Sequence, residues 1–218
     1  MRNVLLKHSL WTAFLGIFAF SCSSVKPFES PNLSAAIATH KQIAILPFDV
    51  RFNESYKQDT YRRGSRNNSK EYWVEQERLA GLDMQKELFM DISKQVAKGK
   101  YIVAVKDFMS TNKLLQEHNI PMLSIKDRDK SELARILGVD AVIWGQTDII
   151  VNNSNFGFTP SNSGVETLAS LFDAQSGEIL WSDKTRSTPS SRLDTPHSLS
   201  NQTLSTLSRR LPYRIAKK

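Results

Sequence analysis

Five short runs rich in β-branched and other apolar residues, each bounded by a turn signal or a helix-period segment, set the architecture open to this chain. They are Gln42–Pro47, Tyr101–Val105, Asp140–Val151, Val165–Phe172 and Glu178–Thr185. Runs of this length and composition read as strands, and the proline at 47 closes the first because it cannot donate to a ladder. The third run is continuously apolar at first and alternates later. The last two flank Asp173-Ala-Gln-Ser-Gly177 and form a hairpin, with glycine where the turn needs a positive φ.

Between these runs the period changes to that of a helix. From Glu71 to Ala97, Leu82, Leu88, Phe89, Ile92 and Val96 recur at three-to-four spacing, with Gly99 at the expected end. A short helix capped by Ser110 or Thr111 is predicted through Leu114, Leu115 and His118, and another over Asp129–Leu137 ending at Gly138. Leu199, Leu204, Leu207 and Leu211 mark a final helix stopped near Pro212. Phe48–Tyr72 is polar and reads as a long loop, as does Asn152–Gly164. The expected fold class is thus an α/β (α+β) sandwich, one mixed sheet of about five strands with helices. Its order is β-α-β-α-α-β-β-β-α, the last three strands forming an antiparallel meander.

Cys22 is the only cysteine, so no intramolecular disulfide forms and apolar packing must hold the fold. Apolar content of 40% and charged content of 23% suit a globular chain. Arg2 and Lys7 precede the apolar stretch Leu10–Phe20, which has the length of a signal-peptide core and falls short of the roughly 20 residues that span a bilayer. Residues 1–21 are therefore read as a signal, 22–41 as a flexible tether, 42–212 as a periplasmic domain and 213–218 as a basic tail. Removing the signal lowers the net charge from +7 to +5, since Arg2 and Lys7 leave with it. That balance admits anionic partners without demanding them, and nucleic acid is not expected of an exported chain.

Ala19-Phe-Ser-Cys22 resembles the lipobox of bacterial lipoproteins, with Ala and Phe where Leu and a small residue are usual. The resemblance implies a cut before Cys22, diacylglycerol on its thiol and an acyl chain on the new amine. Each buried methylene contributes about 0.8 kcal/mol, so two or three chains on Cys22 anchor a protein where one chain would not. Ser23 is not the aspartate of inner-membrane retention, which points to the periplasmic face of the outer membrane.

Four segments carry a second resemblance: Ile43–Phe48, Leu133–Gly145, Leu171–Trp181 and Arg209–Pro212. Together they resemble the periplasmic domain shared by the curli-secretion lipoprotein, the lipoprotein activators of penicillin-binding proteins and the amino-terminal domain of the Tol translocation protein TolB. The resemblance implies an envelope assembly or regulatory role exercised through protein contacts. Pore formation is not carried over, because Asn152–Gly164 is short and polar where a spanning hairpin needs strands of about 9 to 11 residues.

Catalytic, metal and cofactor sites are not expected. His8, His40, His118 and His197 are scattered, and no HExxH, G-x-S-x-G, P-loop or G-x-G-x-x-G run occurs. Asp49 and Glu54 are weighed as acid/base groups and read better as a solvated loop; Asp140 reads as a turn or capping residue. Trp144 and Trp181 are expected to be core residues of neighbouring strands. The candidate partner contacts are Arg62, Arg63 and Arg66 in the polar loop, with Trp73 as an exposed aromatic beside Tyr72. Charge runs are more often solvated faces. The expected function is a lipid-anchored envelope module that binds a protein partner, with a homo-oligomer admitted; the alternative is a periplasmic hydrolase whose site the sequence hides.

Overall fold

The structure, a computed structural model, describes residues 26–62, 69–150, 163–191 and 194–215. Its scaffold is one mixed sheet of β1 (Phe28–Glu29), β2 (Gln42–Ile45), β3 (Asp49–Phe52), β4 (Ala104–Val105), β5 (Ala141–Ile150), β6 (Gly164–Asp173) and β7 (Ile179–Ser187). The strand order is β1-β7-β6-β5-β2-β4, with β3 pairing β5 beyond the end of β2. β2 and β3 run parallel to β5, whereas β5, β6 and β7 form the antiparallel meander. The helices are α1 (Leu33–Thr39), α2 (Glu54–Arg62), α3 (Lys70–Ala97), α4 (Phe108–Glu117), α5 (Lys130–Leu137) and α6 (Pro196–Arg210), with a 3-10 turn at Met122–Asp127.

Both faces of the sheet are covered at β2 and the first half of β5, which is why Ile43–Ile45 and Ala141–Trp144 are apolar without interruption, while β5 alternates from Gln146 onward. Ile43, Ile45, Ala141 and Ile143 join a core with Leu88 and Ile92 of α3 and Leu204 and Leu207 of α6. Ala44, Leu46 and Val142 point the other way, against Leu115 of α4 and Leu133 and Leu137 of α5. Full burial of each such leucine or isoleucine contributes about 1.5–3 kcal/mol. Local chemistry starts the helices: Ser69, Asp107 and Asp129 accept from backbone N–H groups of Tyr72, Ser110 and Ser131. Thr195 and Ser198 form a reciprocal capping box at the start of α6.

The α/β class and the meander agree with the sequence reading, but the sheet has seven strands rather than about five. One addition lies in the expected tether. Phe28 and Glu29 pair antiparallel with Ser182 and Trp181 of β7, and α1 packs Leu33 into the core, so residues 28–40 belong to the folded body. The second lies in the expected loop after Phe48, where β3 and α2 form. Their polar sequence hides them, because β3 is ordered by pairing with β5 rather than by its own composition. The start of the expected tail is also structural: Tyr213 is fully buried and Arg214 bridges Tyr101. The cap of α4 is Asp107, three residues before the predicted Ser110. Trp181 lies in the core as expected. Trp144 is only half-buried, and β6 separates its strand from that of Trp181.

Between β2 and β3 the chain crosses over at Leu46–Phe48. The Phe48 N–H donates to the Gly81 carbonyl of α3 at 3.3 Å. A Cβ at Gly81 would stand 2.2 Å from the Phe48 carbonyl oxygen, and one at Gly145 would stand 2.5 Å from the Phe48 ring. Both glycines are therefore required by close approach. Overpacking costs typically about 1–3 kcal/mol, and more when backbone must move. Gly81→Ala is expected to lose at least that much in urea denaturation. Phe48→Leu should relieve Gly145→Ala in part, since the ring is its nearest clash, and leave Gly81→Ala unrelieved, since that clash is with backbone. Equal rescue of both would refute this packing.

Candidate binding groove

The crossover opens a groove on the α4 side of the sheet. Its first half is a cavity of about 440 Å³ over β3, between α3 and the 3-10 turn, lined by Phe48, Asp49, Arg51, Phe52, Lys57, Glu77, Arg78, Lys126 and Trp144 among others. Its second half, about 750 Å³, is a more open trough along α4, lined by Met109, Leu115, Ile120, Met122 and Leu123 with a rim of Asn112, Gln116 and Asn119. Arg78, Met122 and Leu123 belong to both halves, so the two are continuous.

Each wall has a physical origin. Glu77 accepts from the Phe52 N–H at 3.2 Å and pairs with Lys57 at 3.3 Å, fixing the end of β3 to α3. Arg78 clasps Glu75 with two hydrogen bonds of 2.7 and 2.6 Å and reaches the Met122 sulfur at 3.7 Å. Lys130 holds the 3-10 turn: its ammonium donates to the carbonyls of Lys126 and Arg128, at 3.2 and 2.7 Å, and stands 4.3 Å from the centre of the Trp144 ring. Burial pushes this amine below the ordinary lysine range, and the carbonyl and ring contacts satisfy it without an ion pair.

The trough is apolar and open. Met109 is 67% exposed and Leu123 51%, and methionine adapts to irregular partners. Amides on the rim offer donors and acceptors to a peptide backbone. None of the residues lining the groove is a serine, cysteine or histidine.

A second cluster lies at the other end of the sheet and is closed to solvent. His40 Nε2 lies 2.9 Å from Asp173 Oδ1, and its Nδ1 lies 2.6 Å from the Tyr213 hydroxyl. The carboxylate can only accept, so Nε2 carries hydrogen. Burial, reinforced by Asp173 and Asp140, pushes the Tyr213 hydroxyl far above the ordinary tyrosine range, so it stays protonated and donates to Nδ1. Tyr213 is completely buried and His40 is 7% exposed. This chain of hydrogen bonds ties together the segment before β2, the hairpin and Tyr213 beyond α6. Asp140 closes the same corner by accepting from the Lys41 and Gln42 N–H groups at 2.7 and 2.9 Å, so it ties the start of β5 to the start of β2 rather than acting in a local turn.

Of the expected site residues, Arg62 and Trp73 are among the described ones. Cys22, Arg63 and Arg66 lie outside the described residues, and so does most of the Asn152–Gly164 loop. Arg62 is exposed at the end of α2. Trp73, expected to be an exposed contact, is only 6% exposed, because Phe52, Tyr56 and Tyr72 pack around it at ring separations of 5.8, 6.1 and 5.1 Å. Asp49 pairs with Arg51 at 2.9 Å and Glu54 with Lys57 at 3.4 Å. His118 bonds its own helix, and His197 lies 3.2 Å from Asn201. Sequence reading missed the groove, whose one visible signal was the proline that interrupts the first strand.

No protein-family model and no curated protein matches the chain. Among solved structures it is similar to the PelC dodecamer from Paraburkholderia phytofirmans, at 13% identity and a TM-score of 0.47 over 85% of this chain and 96% of that one. It is also similar to lipoprotein GNA1162 from Neisseria meningitidis, at 13% identity and 0.46 over 78% and 96%. A third is the LpoB C-terminal domain from Escherichia coli, at 15% and 0.34 over 73% and 94%. LpoB is a penicillin-binding-protein activator lipoprotein, so the group resembled in sequence recurs among the structural matches.

Two carboxyls at the closed corner are expected to make the fold acid-sensitive. Burial alone would raise Asp173, but the Ser176 N–H and hydroxyl and the His40 ring outweigh it and hold the group below the ordinary range. For Asp140 burial is likewise outweighed by the Gln42 and Lys41 N–H groups. Their stabilisation is complete above the unfolded value of about 4 and is lost as the pH falls below it toward the folded values. Asp173→Asn and Asp140→Asn are each expected to lower stability at neutral pH and to flatten its decline below about pH 4. Urea midpoints measured across that range test this; an unchanged acid slope in both variants would refute it.

Proposed function

We propose that this chain is a lipid-anchored lipoprotein of the cell envelope, acylated at Cys22 on the periplasmic face of the outer membrane, and that it works by binding a segment of an envelope protein in the groove along α4 and β3. The observation that carries the binding reading is the groove itself: an apolar trough with an amide rim, continuous with a charged pit. An extended or helical peptide would seat its apolar side chains against Met109, Met122 and Leu123 and its polar end near Arg78 and Lys126. The amino-terminal signal pattern and the lipobox resemblance support the anchor.

The test uses the full acylated chain in cells. A photo-reactive phenylalanine analogue at Met109 is expected to yield a discrete cross-linked partner, and Leu123→Glu should abolish that adduct while the variant remains folded and membrane-bound. Cys22→Ser should instead release the protein from membranes. Full function and undiminished cross-linking in Leu123→Glu would overturn the groove, and continued membrane pelleting of a cleaved Cys22→Ser protein would overturn the anchor.

A further inference from the structure

The folded body begins close to the proposed lipid site, which limits how the molecule can face a membrane. Lys26 is already placed on the domain and β1 starts at Phe28. Cys22 is four residues from Lys26, a reach of at most about 14 Å even when fully extended. The strand order sets β1 and β3 four spacings apart across the sheet, because β7, β6 and β5 lie between them. At about 4.8 Å per spacing that separation is roughly 19 Å. A leash of this length keeps the β1 edge within about 14 Å of the surface that holds the lipid, whereas the groove lies about 19 Å further along the sheet.

The β1 edge also has the character of a face that meets lipid head groups. From Lys26 to His40 the only charged residues are Lys26 and Glu29. Phe28 is 55% exposed, and Ile179, at the start of the neighbouring β7, is 41% exposed. Ser34, Ala35, Ala38 and Thr39 form an exposed uncharged side of α1. The nearby Glu178 is taken by the Asn32 amide at 3.4 Å. Beside an acyl anchor this edge offers two exposed apolar side chains among few charges, Lys26, Glu29 and Glu178, and an aromatic such as Phe28 suits the interfacial layer.

We infer that the β1 edge of the sheet, through Phe28 and Ile179, is the part of the domain that rests on the bilayer, so that the groove along α4, four strand spacings away, is held clear of it. This orientation rests on acylation of Cys22. The experiment takes the purified full-length acylated protein bound to vesicles of phosphatidylethanolamine and phosphatidylglycerol. Because Cys22 is the only native cysteine, each of Phe28→Cys, Ile179→Cys, Met109→Cys and Leu123→Cys offers one free thiol for a fluorophore. Lipids carrying a quencher near the head group are expected to quench the labels at 28 and 179 several-fold more than those at 109 and 123. Equal quenching at all four positions, or stronger quenching at 109 and 123, in protein that carries the acyl mass and pellets with vesicles overturns the orientation alone. Protein that lacks the acyl mass or stays in the supernatant overturns the anchor and the orientation together.

Discussion

The Phe48 N–H donates to the Gly81 carbonyl, and the Phe48 ring lies where Gly145 has no side chain. Through this crossing one long strand, β5, is served along its edge by two short ones, β2 and β3, with Pro47 in the gap. A continuous strand would leave no room for the ring or for the cavity beside it. The crossing also presses α3 against the sheet at one point, which aims Glu77 at the end of β3 and Arg78 into the groove. Two missing side chains thus set the register of a helix against a sheet and, with it, the shape of the surface beyond.

The charges around the groove are arranged to position rather than to attract. Arg51, Lys57 and Arg78 each have an acidic neighbour. Partly exposed pairs of this kind contribute about 0–1 kcal/mol each, so they mainly fix side-chain geometry. A ligand would draw most of its binding energy from the trough, where two exposed methylene-rich side chains, Met109 and Leu123, wait beside rigid helix and turn. The buried Lys130 supports this indirectly, since it fastens the 3-10 turn that carries Met122 and Leu123.

Sequence reading recovered the elements whose signals are local. The interior strands, α3, α5 and the β6–β7 hairpin follow from apolar periodicity and from glycine at their ends, such as Gly138 at φ 64°. What it missed depends on partners far along the chain. β1 has two residues and exists because β7 lies open beside it; β3 is polar and exists because β5 outruns β2. Trp73 looked exposed because Tyr72 was its only visible neighbour, whereas Phe52 and Tyr56 reach it through the fold. His40 sat in an apparently irregular stretch, and both its partners come from the far end of the sequence. The groove was illegible for the same reason: its lining draws on residues from Pro47 to Trp144.

The closed corner of His40, Asp173 and Tyr213 has a consequence for the order in which the chain is completed. His40 meets a carboxylate 133 residues later and a phenol 173 residues later. β1 likewise waits for a partner strand that begins at Ile179. Contacts of such long separation form late, because the chain between them must be ordered first. A protein made from its amino terminus therefore cannot shut this corner until Tyr213 is available. The β1 strand and His40, early in the chain, are thus among the last parts of the described fold to be locked in place.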